Sequence, residues 1–145
     1  MYTIRNKIIR TVINDSEIIQ DVESAKEIPG FDINLGCDDR NWSLLMTIVY
    51  WNRKELVRYL LSIPGINVNQ GDTVMQICNQ ISILKLLLDH KDIDINMQNN
   101  RGETGLHRVC RWGHEACVKE YLLDARVDTS IRDWNRETAL DESPS

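Results

Sequence analysis

A four-residue mark returns along this chain as Phe31-Asp32-Ile33-Asn34, Ile66-Asn67-Val68-Asn69 and Ile93-Asp94-Ile95-Asn96, with a degenerate copy at Val127-Asp128-Thr129-Ser130. The last residues of successive copies stand 35, 27 and 34 residues apart. A period of that length means stacked supersecondary units that bury their apolar faces on one another, not one closed globule.

A doublet of apolar pairs precedes each of the last three marks: Leu56, Val57, Leu60 and Leu61; then Ile83, Leu84, Leu87 and Leu88; then Cys117, Val118, Tyr121 and Leu122. The i, i+1, i+4, i+5 spacing is that of one buried helix stripe. Asn52-Arg53-Lys54-Glu55, Asn79-Gln80-Ile81-Ser82 and Gly113-His114-Glu115-Ala116 fall in register before these stripes. A turn is therefore expected ahead of each helix.

Further upstream, Gly102-Glu103-Thr104-Gly105-Leu106-His107 opens a second apolar segment ending at Trp112, and Arg136-Glu137-Thr138-Ala139-Leu140-Asp141 begins another. The run from Asn99 to Asn135 resembles an ankyrin repeat: Gly102, Thr104, Leu106, His107, Gly113, His114, Val118, Leu122 and Asp128 match that family's pattern. Gly105 stands in place of its proline, and Val109-Cys110 in place of its alanines. The resemblance implies an all-α solenoid of stacked antiparallel helix pairs joined by hairpin loops.

Spacing then divides the chain. Residues 1–34 read as an N-terminal cap, with one helix through Ile8, Ile9, Val12 and Ile13 and a second through Ile18, Ile19 and Val22. Residues 35–69 and 97–130 read as repeats, with Ser43 at the threonine position and Met46 at the histidine position of the first. Residues 70–96 are a shortened repeat, because Thr73 comes four positions after Asn69 whereas Thr104 comes eight after Asn96; its hairpin is expected to be stunted or absent. Residues 131–145 read as a truncated C-terminal repeat without a second helix. The Cys117, Val118, Tyr121 and Leu122 face of the fourth repeat is then expected to be incompletely covered, with local fraying at this end. A monomer is expected, with weak self-association through the C-terminal end as the alternative.

At 42% hydrophobic residues the chain can bury a core, here between neighbouring repeats. Nothing in it resembles a signal peptide or membrane span, which points to the cytoplasm or nucleus and away from a membrane partner. A net charge of -5, mixed along the chain, argues against nucleic acid, whose phosphates require a basic stripe.

Cys37, Cys78, Cys110 and Cys117 include no CxxC pair, and three of them fall at apolar helix positions, so reduced structural thiols are expected. Asn14 and Asn41 sit in Asn-x-Ser sequons that mean nothing without a secretory route. His107, Cys110, His114 and Cys117 form H-x2-C-x3-H-x2-C, whose donors suit zinc. The two histidines coincide with those of the ankyrin pattern, though, and Gly113 puts the four groups on two different helices. No metal, cofactor or catalytic residue is assigned, since no phosphate loop, nucleophile elbow or carboxylate pair is recognisable.

The resemblance implies that the hairpin tips and the residues just before the Gly-His turn face a concave groove. In this chain those are Asp39, Arg40, Trp42, Tyr50 and Trp51, then Gln98, Asn100, Arg101, Glu103, Arg111 and Trp112, then Arg132, Trp134, Asn135 and Glu137. All four tryptophans of the chain are in this set. Trp, Tyr and Arg dominate binding hot spots, because they bury much area for little rotamer entropy and can stack or form bidentate hydrogen bonds. The expected function is binding of another protein through Arg40, Trp42, Tyr50, Trp51, Arg101, Arg111, Trp112, Arg132 and Trp134. The alternatives are a structural spacer within a longer protein and, more remotely, a zinc-dependent enzyme. Asn96 and Asn69, each following an apolar residue in an Asp/Asn-Ile/Val-Asn context, also resemble the ankyrin asparagines that asparaginyl hydroxylases modify. Their ordinary role would be to bond hairpin backbone.

Overall fold

The computed structural model describes residues 14–36, 42–69 and 78–142. Outside them lie the expected helix through Ile8, Ile9, Val12 and Ile13, the hairpin residues Cys37, Asp39, Arg40 and Asn41, the segment around Thr73 and the tail from Ser143. The chain forms two compact units, Met1–Asn67 and Val68–Ser145.

In the first unit α1 spans Asp15–Lys26, α2 Leu44–Tyr50 and α3 Lys54–Leu61. Asn14 starts α1, its Oδ1 accepting the Glu17 amide at 2.9 Å, so this sequon asparagine serves as a helix cap. Ser43 caps α2 in the same way, accepting the Met46 amide at 3.2 Å. Every residue from Leu44 to Val49 is buried, including Thr47, whose hydroxyl donates to the Ser43 carbonyl at 3.2 Å. The three residues between α2 and α3 are too few for anything but a tight reversal, and Asn52 takes it with φ 57°. α3 packs against both α2 and α1. The stripes that meet there, Ile18 and Val22 with Leu56, Val57 and Leu60, are buried. After each of α1 and α3 an Ile-Pro-Gly turn brings the chain around, with Gly30 and Gly65 at φ 81° and 82°.

In the second unit α4 spans Ile81–Leu88, α5 Gly105–Trp112 and α6 Glu115–Leu123, and a 3-10 turn covers Ala139–Glu142. α5 opens on a reciprocal cap. Thr104 Oγ1 accepts the His107 amide at 3.3 Å, and His107 Nδ1 accepts the Thr104 amide at 3.1 Å. It closes on Gly113 in the left-handed conformation, φ 70°. α6 packs on α5 and on α4, and the 3-10 turn packs on α5. The arrangement is the expected one of paired helices with hairpin loops.

Two expectations about this unit need correction. Cys117 and Tyr121 are fully buried, because their side of α6 faces the preceding α4; only the other side of the stripe, with Val118 half-exposed and Leu122 45% exposed, lacks cover. Cys78 is buried but lies ahead of α4, outside any helix.

Between repeats the structure shows a set of staples. Asn34 donates through Nδ2 to the Gly65 carbonyl at 2.9 Å and accepts the Asn67 amide at 2.7 Å. Asn69 does the same with Asp92 at 2.7 Å and Asp94 at 2.8 Å, and Asn96 with Arg126 at 2.9 Å and Asp128 at 2.8 Å. The partner in each case is the turn closing the next repeat, not the hairpin backbone expected from sequence.

Candidate functional site

The site is built from two hairpin tips and the end of α5. In the first tip Asn99 Oδ1 accepts the amides of Arg101 and Glu103 at 2.8 and 3.0 Å. In the second, Asp133 Oδ1 accepts those of Asn135 and Glu137 at 2.9 and 3.0 Å. Each short side chain thus holds its own turn, the habit that favours Asn and Asp there. The tips stack: the Trp134 amide donates to the Arg101 carbonyl at 3.0 Å, and Gln98 Nε2 bridges the carbonyls of Gly102 and Arg132 at 2.9 and 3.3 Å.

Between the tips and α5 lies an open cleft of about 700 Å³, lined by Arg101, Glu103, Arg111, Asp133, Trp134, Asn135 and Glu137. Trp134 is 76% exposed beside it. Glu103, expected among the groove-facing residues, is instead buried, because its carboxylate turns inward to meet Arg111 at 2.5 Å and Asn99 Nδ2 at 3.5 Å. That pair fixes the Arg111 guanidinium at the cleft wall while leaving its side chain 41% exposed. Arg132 is exposed and donates to the Arg136 carbonyl at 2.7 Å, so it braces its own hairpin.

Trp112, at the end of α5, is 44% exposed. The Arg108 guanidinium lies 4.8 Å from its ring centre and His114 meets it edge-on at 5.8 Å, so the indole is held in one pose by a cation–π contact and an aromatic edge. In the first unit Tyr50 sits edge-on to both Trp42 and Trp51, at 5.4 and 5.5 Å. Tyr50 and Trp51 are exposed and Trp42 is half-buried. The structure therefore gathers Arg101, Arg111 and Trp134 around one cleft of the second unit, and Trp42, Tyr50 and Trp51 into a cluster of the first. Arg40 lies outside the described residues.

The histidine and cysteine motif is taken up by packing. His107 is buried with Nδ1 on the Thr104 cap and Nε2 3.0 Å from the Glu137 carbonyl. Cys110 is buried, and the Cys117 thiol donates to the Asn79 carbonyl at 3.7 Å. Burial pushes the Cys78 thiol up to about 12 and raises Cys117 also, which keeps both in the unreactive thiol form. Among the described residues no group of three or more His, Cys, Asp or Glu side chains comes together to hold a metal, and no helix is long and apolar enough to cross a membrane.

The sequence matches the family model for ankyrin repeats (3 copies) over residues 16–99 and 74–143. It is similar to SMC5-SMC6 complex localization factor protein 1, with 33% identity over 91 residues to the Bos taurus protein and 30% over 102 residues to that of Mus musculus. These matches take in 61% and 68% of this chain but 7% and 8% of those proteins, so the chain corresponds to a small part of their length. The serine/threonine-protein kinase TNNI3K of Mus musculus is 28% identical over 102 residues, which are 68% of this chain and 11% of the kinase. Among solved structures, the ankyrin repeat domain of Bcl-3 shares the fold, with a TM-score of 0.70 at 23% identity over 89% of this chain and 57% of that one. Repeats of this kind are generally protein-interaction modules and typically non-catalytic. With its period, its capped helix pairs and these matches, the chain belongs to the ankyrin-repeat family.

Proposed function

We propose that this chain is a protein-binding module whose contacts are made by the hairpin tips and first-helix ends, with no catalysis of its own. The observation that carries the reading is Trp134, 76% exposed beside a cleft of about 700 Å³ that Arg101 and Arg111 also line. An indole left mostly in water at a hairpin tip adds little to the repeat's core and is ready to bury its area on a partner. The held pose of Trp112 and the Trp42, Tyr50 and Trp51 cluster support the same role, since side chains fixed in advance lose less entropy on binding.

The partner is another protein, engaged by a monomer in the cytoplasm or nucleus. The name of the relative in Bos taurus and Mus musculus, a complex localization factor, fits a role carried out through protein contacts. Asn96 and Asn69 are proposed in addition as acceptors of side-chain hydroxylation. The test is affinity capture with the wild-type chain and with Trp112→Ala/Trp134→Ala, both checked for native helicity. A captured protein lost from the double variant is the expected result. Equal capture by the folded double variant would move the contact away from these two indoles, and capture of no protein by the wild-type chain would favour the spacer reading.

A further inference from the structure

Three residues tie one repeat to the next layer of the stack, and each has a counterpart 34 positions later: Asn96 and Ser130, Gly102 and Arg136, His107 and Asp141. The first member of each pair couples to the next layer; the second bonds within its own turn or carries a side chain where the first has none.

Asn96 spans to the next repeat's closing turn by donating to one backbone group and accepting from another. Ser130, one atom shorter and with a single heteroatom, folds back instead, its hydroxyl donating to Asp128 Oδ1 at 2.5 Å. Gly102, with φ 74°, lets the adjoining hairpin close on it: a Cβ there would stand 3.0 Å from Trp134 Cδ1 and 3.1 Å from both the Asp133 Cα and the Trp134 nitrogen. Arg136 has the same left-handed backbone, φ 65°, at the same place in its own tip, but carries a Cβ and a long side chain where the next hairpin's backbone would have to lie.

His107 accepts the Thr104 amide on Nδ1, so its proton is on Nε2 and is donated to the Glu137 carbonyl at 3.0 Å. Asp141 keeps the first half of this arrangement, its Oδ2 accepting the Thr138 amide at 2.9 Å. A carboxylate has no proton to offer a carbonyl in the next layer.

We propose that the fifth hairpin is the terminal layer of the stack: Arg136 and Asp141 of that hairpin, with Ser130 at the end of the fourth repeat, close this end to a further ankyrin repeat. Three side chains carry this, irrespective of any chain beyond Ser145. The half-exposed Leu122 is consequently left uncovered by any repeat of this type, whereas its counterpart Leu88 is buried.

The experiment extends the chain with a second copy of residues 108–142 placed after Asp141, which supplies the missing second helix and one more hairpin. With Ser130, Arg136 and Asp141 native, the added amides are expected to exchange as freely as those of an unstructured peptide and the urea midpoint to stay where it is. With Ser130→Asn, Arg136→Gly and Asp141→His, the added segment becomes protected and the midpoint rises. Equal protection of the added segment in both extended chains would overturn the proposal. The unextended chain gives an independent arm: Gly102→Arg/His107→Asp transplants the closed surface onto the fourth repeat and is expected to abolish protection of the Trp134 amide while the amides of α3 stay protected. Retained protection at Trp134 would overturn it equally.

Discussion

The Asn96 side-chain amide spans 32 residues of sequence to accept the Asp128 backbone amide at 2.8 Å, and its other end donates to the Arg126 carbonyl. One side chain thereby satisfies both a donor and an acceptor of a turn that has no regular hydrogen-bonding ladder of its own. Asn96→Ala hands both exposed groups to water and is expected to destabilise the second unit by about 1 kcal/mol. Asn96→Asp keeps the acceptor but loses the donor, and should fall between the two. Urea unfolding of the three proteins checks the order.

Trp112 and Leu87 separate binding from folding. Trp112 is 44% exposed while Leu87 is fully buried on the α4 stripe. Trp112→Ala is expected to weaken partner binding by about 2 kcal/mol with a nearly unchanged unfolding transition. Leu87→Ala should cost about 2–5 kcal/mol of stability. Unfolding of Trp112→Ala under native conditions would place that indole in the core.

Gly102→Ala adds strain twice, through its φ of 74° and through the 3.1 Å approach of the Asp133 and Trp134 backbone. Backbone cannot give way as a side-chain tip can, so a loss of about 1 kcal/mol or more is expected. Amide exchange should show the loss concentrated in residues 132–142.

Asp124 makes a two-pronged pair with Arg126, Oδ1 to Nε at 2.9 Å and Oδ2 to the guanidinium at 2.6 Å, and the same guanidinium reaches the Leu88 carbonyl at 2.8 Å. The Arg126 hydrogen bonds hold the Asp124 carboxyl down to about 2. Its unfolded-state value is about 3.9, so the folded pKa is the lower one. The stabilisation is present above about pH 4 and is lost as pH falls toward about 2. Asp124→Asn should flatten stability against pH in that window, measured by thermal unfolding, and an unchanged slope would assign the acid sensitivity elsewhere.

Hydroxylation is checked by mass. Treated with an asparaginyl hydroxylase and its co-substrates, the peptide holding Asn96 should gain one oxygen, and Asn69 less readily because Asn67 replaces the acidic residue. Both amides are engaged in staples, so modification should increase in Asn96-adjacent variants that loosen the turn. Absence of the added oxygen under every condition would end the assignment.

Features set by near neighbours along the chain were legible in the order of residues alone. The apolar doublets on α3, α4 and α6, the register of Ser43 and Thr104 at the repeat's threonine position, and the Gly113 helix stop come from spacing within a few residues, because helix periodicity is local. The candidate aromatics were legible for the same reason, since their place in the repeat is a matter of register. Which groups close across layers emerged with the packed fold. Glu103 reads as a hairpin side chain free to face the groove, yet Arg111 and Asn99 draw it inside. Cys117 and Tyr121 read as the open end of the stack, yet α4 covers them, and the exposed edge begins at Val118 and Leu122. The staples of Asn34, Asn69 and Asn96 join residues 23 to 33 positions apart. No local pattern specifies such a partner; it exists only once successive repeats are stacked, which brings the next turn's amide and carbonyl within reach of the asparagine side chain.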